Sequence, residues 1–388
     1  MVALRIMVSA GEASGDLYAA RLVERLREHL PDADFFGCAG PEMKAAGVRP
    51  VADVARLSVV GLLEVVAHIP RVYGEYRKMV RSVWRDRPHL AILTDSPDFH
   101  LRLAAHLKKA GVPVVYFVAP QVWAWRRRRI RAIKCNIDRL LCIFPFEEDF
   151  FRRHGVAADY IGHPLATLVK PAASREVFFR KYGLSENRAV VSLLPGSRRG
   201  EAFRHLPHLL DAVARIRPSC DAQFVLATPA AFWRAGDEPV LRRLREQAVI
   251  CVAGETWDVL ANSDLALAAS GTVTIEAAFL GAPLVTYYRV TAASWLLGRF
   301  LVDVPFYSMV NLVAGKAIVP ELMQNEMRGE RLAAEALRIL ADPGERERMR
   351  SDLARVAALL SGHAEPMQRA ADVVRHLLTD KHGVSYVA

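Results

Sequence analysis

The sequence predicts an α/β protein built from two doubly wound, parallel-sheet domains that face a cleft, and three observations carry that expectation. Its 388 residues exceed what one ordinary core accommodates and suit two. Short apolar runs alternate with helical patterns, as in a parallel sheet covered by helices. The alternation pauses at His163–Ser174, where Pro164, Pro171 and small residues suggest a linker, and then restarts.

In order, the first half offers strands at Leu4–Val8, Asp34–Cys38, Leu90–Thr94, Val114–Val118 and Arg139–Ile143, with helices such as Leu17–Leu30 and Leu101–Ala110 between them. The second half offers Ala189–Leu194, Gln223–Ala227, Val249–Val252, Leu265–Ala268 and Leu284–Tyr288. From about Glu330 the chain reads as charged helix. The expected division is 1–165 and 175–365, followed by a tail at 366–388.

Lys plus Arg outnumber Asp plus Glu by 52 to 42, a formal charge of +10 that favours anionic partners without choosing among nucleic acid, lipid headgroups and phosphorylated substrates. The five cysteines are scattered, with no metal-ligand spacing, which reads as reduced thiols in a cytosolic compartment. The N-terminal run enters a strand directly and lacks signal-peptide features, and no apolar stretch reaches the ~18 residues a membrane span needs. Asp32-Ala33-Asp34 lies in a turn after Pro31 and reads as structural, so no metal and no cofactor are expected.

Ligands of such sheets bind beyond the carboxyl ends of strands, which directs attention to the strand-to-helix loops. Ser9–Asp16 follows the first strand, with Gly11 and Gly15 permitting close backbone approach and Asp16 suited to cap the helix; a plain tight turn reads equally well. The spacing is not that of a dinucleotide loop. Leu194–Glu201 presents Gly196, Arg198 and Arg199 at a helix start, a pattern for a diphosphate or for a solvated basic turn. Ala269–Glu276 opens another helix with Ser270, Gly271 and Thr272, where N–H groups and the dipole favour an anion. Glu276 sits one turn on, able to accept from ribose hydroxyls.

Asp95 and Asp98 end a strand and serve either as a general base or as turn formers beside Pro97. Trp123 and Trp125 run into Arg126, Arg127, Arg128, Arg129 and Arg131, a patch for anionic headgroups, for a sugar phosphate or for nucleic acid. Leu57–Pro70 is apolar on nearly every helical face and reads as a core helix or as a lipid-facing patch.

Taken in chain order, the motifs resemble those of the lipid-A-disaccharide synthase family, glycosyltransferases with two Rossmann-like domains (the GT-B fold). They are Gly11-Glu12-x-Ser14-Gly15-Asp16, Gly40-Pro41-x-Met43, Asp95-x-Pro97-Asp98-Phe99 and Pro120-x-Val122-Trp123-Ala124-Trp125-Arg126, followed by Ile161-Gly162-His163, Leu194-Pro195-Gly196-Ser197-Arg198 and Ser270-Gly271-Thr272. The resemblance implies inverting transfer of 2,3-diacylglucosamine from its UDP form to 2,3-diacylglucosamine 1-phosphate, giving a β-1,6 disaccharide and UDP. It implies an acceptor- and acyl-binding first domain, a UDP-sugar-binding second one and a tail after about Pro366 that packs back on the first domain. It assigns Asp98 as the base and Gly11, Glu12, Ser14, Gly15, Arg198, Ser270, Gly271, Thr272, Glu276 and Asn311 to substrate and UDP. At Asn311 the family's Ser-Leu-Pro-Asn reads Ser308-Met309-Val310-Asn311 here.

The same resemblance implies peripheral contact with the cytoplasmic face of the inner membrane of a Gram-negative-type bacterium, through Trp123, Trp125 and Arg126 to Arg129, with no nucleic-acid partner and room for a homodimer. Two alternatives stand beside it. One is another two-domain sugar-nucleotide enzyme, a lipid-linked N-acetylglucosaminyltransferase or a UDP-sugar epimerase; the other is a basic RNA-binding module around Trp123–Arg131.

Overall fold

The structure, a computed structural model, describes residues 4–57, 62–124, 126–291, 295, 304–362 and 364–382, without the side chains of 62–69 and 382. Trp125 lies outside these residues, as does most of the apolar run Leu57–Pro70. The chain divides into two compact units, Met1–Pro164 with Leu360–Ala388, and Leu165–Leu359.

The first unit carries strands β1 (Arg5–Ser9), β2 (Asp34–Ala39), β3 (Arg49–Asp53), β4 (Leu90–Thr94), β5 (Val114–Phe117), β6 (Arg139–Cys142) and β7 (Ala158–Tyr160). They form one parallel sheet in the order β3-β2-β1-β4-β5-β6-β7. Its helices are α1 (Ala13–His29), α2 (Pro41–Ala45), α3 (Leu62–Asp86), α4 (Pro97–Lys109), α5 (Arg129–Asn136) and α6 (Pro145–Arg153). β4 is buried throughout and β1 from Ile6 on, which is why Ile6–Val8 and Leu90–Leu93 read as unbroken apolar runs. The strand order reverses between β1 and β4, where Ser9 pairs with Leu93. Loops 9–12 and 94–98 therefore emerge side by side at the topological switch point.

In the second unit, α7 (Leu165–Leu168) and α8 (Arg175–Tyr182) precede β8 (Ala189–Leu194), α9 (Arg199–Ile216), β9 (Ala222–Thr228), α10 (Glu238–Glu246), β10 (Val249–Ala253), α11 (Thr256–Ala261), β11 (Leu265–Ala269), α12 (Thr272–Phe279) and β12 (Leu284–Tyr288). Then follow α13 (Met309–Ala314), β13 (Glu321–Met323), α14 (Gly329–Ala341) and α15 (Pro343–Ser361). The sheet is again parallel, in the order β10-β9-β8-β11-β12-β13, and its switch point lies between β8 and β11.

The last helix, α16 (Pro366–His382), packs on α1 of the first unit through Ala370, Ala371, Val374 and Leu378. Gly162, at φ 88°, marks the return: a Cβ there would meet Ser361 O at 3.1 Å, and the neighbouring His163 N–H donates to Leu360 O at 2.7 Å. The expected linker is less open than its composition suggests, because it contains α7 and Ala173 N–H donates to Asp258 Oδ1 at 2.7 Å. β3, β7 and β13 escape the sequence patterns because β7 and β13 have three residues each and β3 begins with exposed Arg49-Pro50.

Candidate active site

At the switch point of the first unit, Asp95 and Ser96 both take left-handed backbone, φ 56° and 36°. Such conformations persist in non-glycine residues only where neighbours over-determine them. Here the Asp95 carbonyl accepts from the Tyr116 hydroxyl at 2.5 Å and from His100 Nδ1 at 2.9 Å. His100 is buried, so burial holds its pKa down to about 4; with Nδ1–H donating, its Nε2 accepts from Ser9 Oγ at 2.8 Å.

Turned by that backbone, the half-buried Asp95 carboxylate accepts from Gly11 N–H at 2.8 Å and Glu12 N–H at 3.1 Å. Burial, and then the nearby Glu12 charge, push this carboxyl up to about 8, against the pull of those N–H groups. Gly11 and Gly15 are both required by it. A Cβ on Gly11 would fall 2.8 Å from Asp95 Oδ1 and 2.1 Å from Ser96 Oγ, and one on Gly15 would fall 1.7 Å from Asp95 Oδ2.

Two expectations for this loop change. Ser14, Gly15 and Asp16 lie inside α1, whose N-cap position is Glu12. Asp16 is buried and does not cap its own helix; its carboxylate accepts from Gly40, Glu42 and Met43 N–H at 2.7, 2.9 and 3.3 Å, capping α2. Glu12 and Ser14 are exposed at the rim.

Asp98, the base by resemblance, lies one turn further and is exposed. Both its oxygens accept from Arg126, at 3.1 and 3.0 Å, and Oδ1 also from Arg129. Trp123 is not a free interfacial ring: its indole N–H donates to buried Glu147 at 3.0 Å and its ring meets Phe146 edge-on at 4.9 Å. Glu147 also accepts from Ile143 and Phe144 N–H, and burial pushes it up to about 7. Arg127 and Arg128 remain at the surface.

In the second unit, Arg198 occupies the exposed N-cap position of α9. Arg199 is not its phosphate-binding twin, because it forms a two-pronged pair with Asp237 at 2.7 and 2.8 Å and lies over the Phe203 ring at 4.8 Å. Buried His205 fixes the Pro195–Arg198 loop: Nδ1–H donates to Pro195 O at 2.8 Å, and Nε2 accepts from Arg289 N–H at 3.1 Å. Gly271 and Thr272 start α12 exposed to solvent with no side-chain cap, while Ser270 Oγ donates to Tyr307 O at 2.9 Å. Glu276 is half-buried beside Trp257, and burial pushes it up to about 7.

Asn311 is buried and its amide is fully engaged: Nδ2 donates to Val319 O and Glu321 Oε1 at 3.0 and 2.8 Å, and Oδ1 accepts from Ile318 and Val319 N–H at 2.8 and 3.1 Å. It shapes the loop from within rather than presenting a group to a ligand. Glu321, which the sequence does not single out, also accepts from Tyr307 and Ser308 N–H at 2.9 Å each.

Two parallel sheets of this strand order, each with a shaped loop at its switch point, define a two-domain α/β protein of the GT-B fold, a fold that glycosyltransferases and UDP-sugar epimerases share. The chain belongs to the lipid-A-disaccharide synthetase family, whose profile it matches over residues 6–374. It is 59% identical over 374 residues to lipid-A-disaccharide synthase of Solibacter usitatus, covering 96% of this chain and 97% of that one. It is 41% identical to that of Koribacter versatilis, covering 91% and 92%. Among solved structures it is similar to UDP-GlcNAc 2-epimerase from Neisseria meningitidis bound to UDP-GlcNAc, with TM-score 0.64, 10% identity and coverage of 97% and 100%. It is also similar to a glycosyltransferase from Rickettsia africae, with TM-score 0.59, 9% identity and coverage of 99% and 100%. At those identities the structural likeness concerns the fold alone.

Proposed function

We propose that the chain transfers 2,3-diacylglucosamine from its UDP form to the 6-hydroxyl of 2,3-diacylglucosamine 1-phosphate, forming the lipid A disaccharide 1-phosphate and UDP. The observation that carries this reading is membership of the family across nearly the whole chain. The acceptor oxygen attacks the anomeric carbon as the bond to the diphosphate breaks, and the electron pair leaves with UDP. An α-linked donor and a β product need one displacement and one base (compare inverting glycosidases).

We favour Asp95 as the base over Asp98, the residue assigned by resemblance. Its carboxyl, pushed up to about 8, titrates near neutral pH, where a base is most effective. Asp98 instead holds the arginine segment through Arg126 and Arg129. The α12 start at Gly271 and Thr272, with Arg198, takes the departing diphosphate, and Glu276 takes the ribose. A cavity of about 370 Å³ lined by Ala13, Leu17, Pro41, Val54 and Ala55, with Asp16 and Glu42 also in its wall, supports an acyl-binding role for the first unit.

Among the described residues no helix is long and apolar enough to cross a membrane, and exposed Arg127 and Arg128 support peripheral contact with anionic lipid. The cytoplasmic face of the inner membrane, and a homodimer there, belong to the same proposal. The test is incubation with both acylated sugars. Release of UDP together with a disaccharide is expected, and their joint absence from a folded preparation would sink the reading.

A further inference from the structure

We infer that His100 and Tyr116 are positioning residues for the reaction: two buried donors, from α4 and β5, clamp the Asp95 carbonyl and so hold the carboxylate of that residue against Gly11 and Glu12. The inference rests on the proposed reaction and on Asp95 as its base.

Local sequence does not account for the shape of this turn. Asp95 and Ser96 are successive non-glycine residues in left-handed backbone, and Pro97 disfavours the right-handed helical alternative for Ser96. Left to itself the turn would relax toward extended backbone and swing the carboxylate out into water. Two side chains oppose that movement. His100 Nδ1–H donates to the Asp95 carbonyl at 2.9 Å, and the Tyr116 hydroxyl donates to the same oxygen at 2.5 Å. Both lone pairs of the carbonyl are thereby used.

The two donors are themselves fixed. Both side chains are fully buried, and their rings meet edge-on at 6.5 Å. Ser9 Oγ, at the end of β1, lies 2.8 Å from His100 Nε2 and donates to it, which selects the tautomer that carries its proton on Nδ1. Tyr116 is held by the sheet, where it pairs with Leu93 of β4. A buried imidazole and a buried phenol cost more to desolvate than Leu and Phe would in the same places, so their polar atoms imply a use beyond filling the core.

The test measures kcat, KM for both acylated sugars and the pH dependence of kcat/KM in the full chain carrying Tyr116→Phe, His100→Gln or His100→Asn. Tyr116→Phe removes one oxygen and keeps the ring. His100→Gln keeps an amide at the Ser9 end and loses the donor to Asp95, whereas the amide nitrogen of His100→Asn stands in for Nδ1. The ionisable groups facing the Asp95 carboxyl are Glu12 at the start of α1, His100 of α4 and Tyr116 of β5, with Asp98 and Arg129 facing the Tyr116 hydroxyl. Burial is the main cause of the raised Asp95 carboxyl, so its release into water moves the titration down. Tyr116→Phe and His100→Gln should therefore lower kcat by roughly tenfold or more, leave both KM values within about twofold, and move the acid limb of kcat/KM about one unit to lower pH. His100→Asn should keep kcat within about threefold of the parent, with the limb in place. A parent-like kcat and acid limb in Tyr116→Phe and His100→Gln would overturn the inference. So would a His100→Asn variant as slow as His100→Gln, since His100 would then act through packing alone. Full turnover in Asp95→Asn would instead remove the base assignment, and an unsubstituted chain that makes no disaccharide would remove the proposed reaction, each taking this inference with it.

Discussion

Oδ2 of Asp95 lies where Gly15 has no side chain: a Cβ on Gly15 would fall 1.7 Å from that oxygen. The glycine in α1 and the carboxylate beyond β4 thus form one fitted pair. Gly15→Ala should push the carboxylate off Gly11 and Glu12 and lower turnover by at least tenfold, with helical content retained. Wild-type turnover in that variant would show that the carboxylate's position is not needed.

Asp95→Asn should lower kcat by about 10²–10⁴, the usual worth of a positioned base, while UDP affinity stays near the parent value. Asp98→Asn weakens the pairs to Arg126 and Arg129 and should change kcat by less than about tenfold. The opposite ranking in steady-state kinetics would return the base role to Asp98.

Asp95 also makes a prediction about pH. Its folded pKa of about 8 lies above the ordinary value near 4, so the folded state binds the proton more tightly than the unfolded chain. The stability it contributes is complete below about pH 4 and declines as pH rises through about 8. The melting temperature of the parent should fall between pH 5 and 8, more steeply than that of Asp95→Asn, while kcat/KM rises toward pH 8 as the base form fills. Parallel melting curves for the two proteins across that range would contradict the assigned shift.

Asn311→Asp would set a second carboxylate against Glu321, where Nδ2 now donates at 2.8 Å. A loss of about 2–4 kcal/mol in denaturant unfolding is expected, from repulsion and from Val319 O left without its donor. Asn311→Ser, which is smaller but carries no charge, should affect the loop less at high pH than Asn311→Asp. Equal losses for the two would remove the electrostatic part of this account.

Replacing Arg127 and Arg128 together by Glu should weaken binding to vesicles containing anionic lipid by about 1 kcal/mol or more per reversed charge, and the difference should shrink in high salt. Vesicle sedimentation reads this directly. Unchanged partitioning would move the membrane contact elsewhere on the chain.

The sequence by itself determined the two-sheet α/β class, most strands to within a residue or two, the four strand-to-helix connections after β1, β4, β8 and β11, and the family, because buried parallel strands leave unbroken apolar runs and sharp turns demand glycine. It did not reveal β3, β7 and β13, which are too short or too exposed to leave a pattern. Nor could it distinguish the surroundings of Asp95, just after β4, from those of Asp98, in the first turn of α4. Their surroundings come only from the tertiary structure, because each carboxylate takes its partners from distant segments: Gly11 and Glu12 for Asp95, Arg126 and Arg129 for Asp98. The same holds for Arg199 with Asp237, Trp123 with Glu147 and Asn311 with Glu321, where partners brought together by folding occupy side chains whose type alone suggested a ligand.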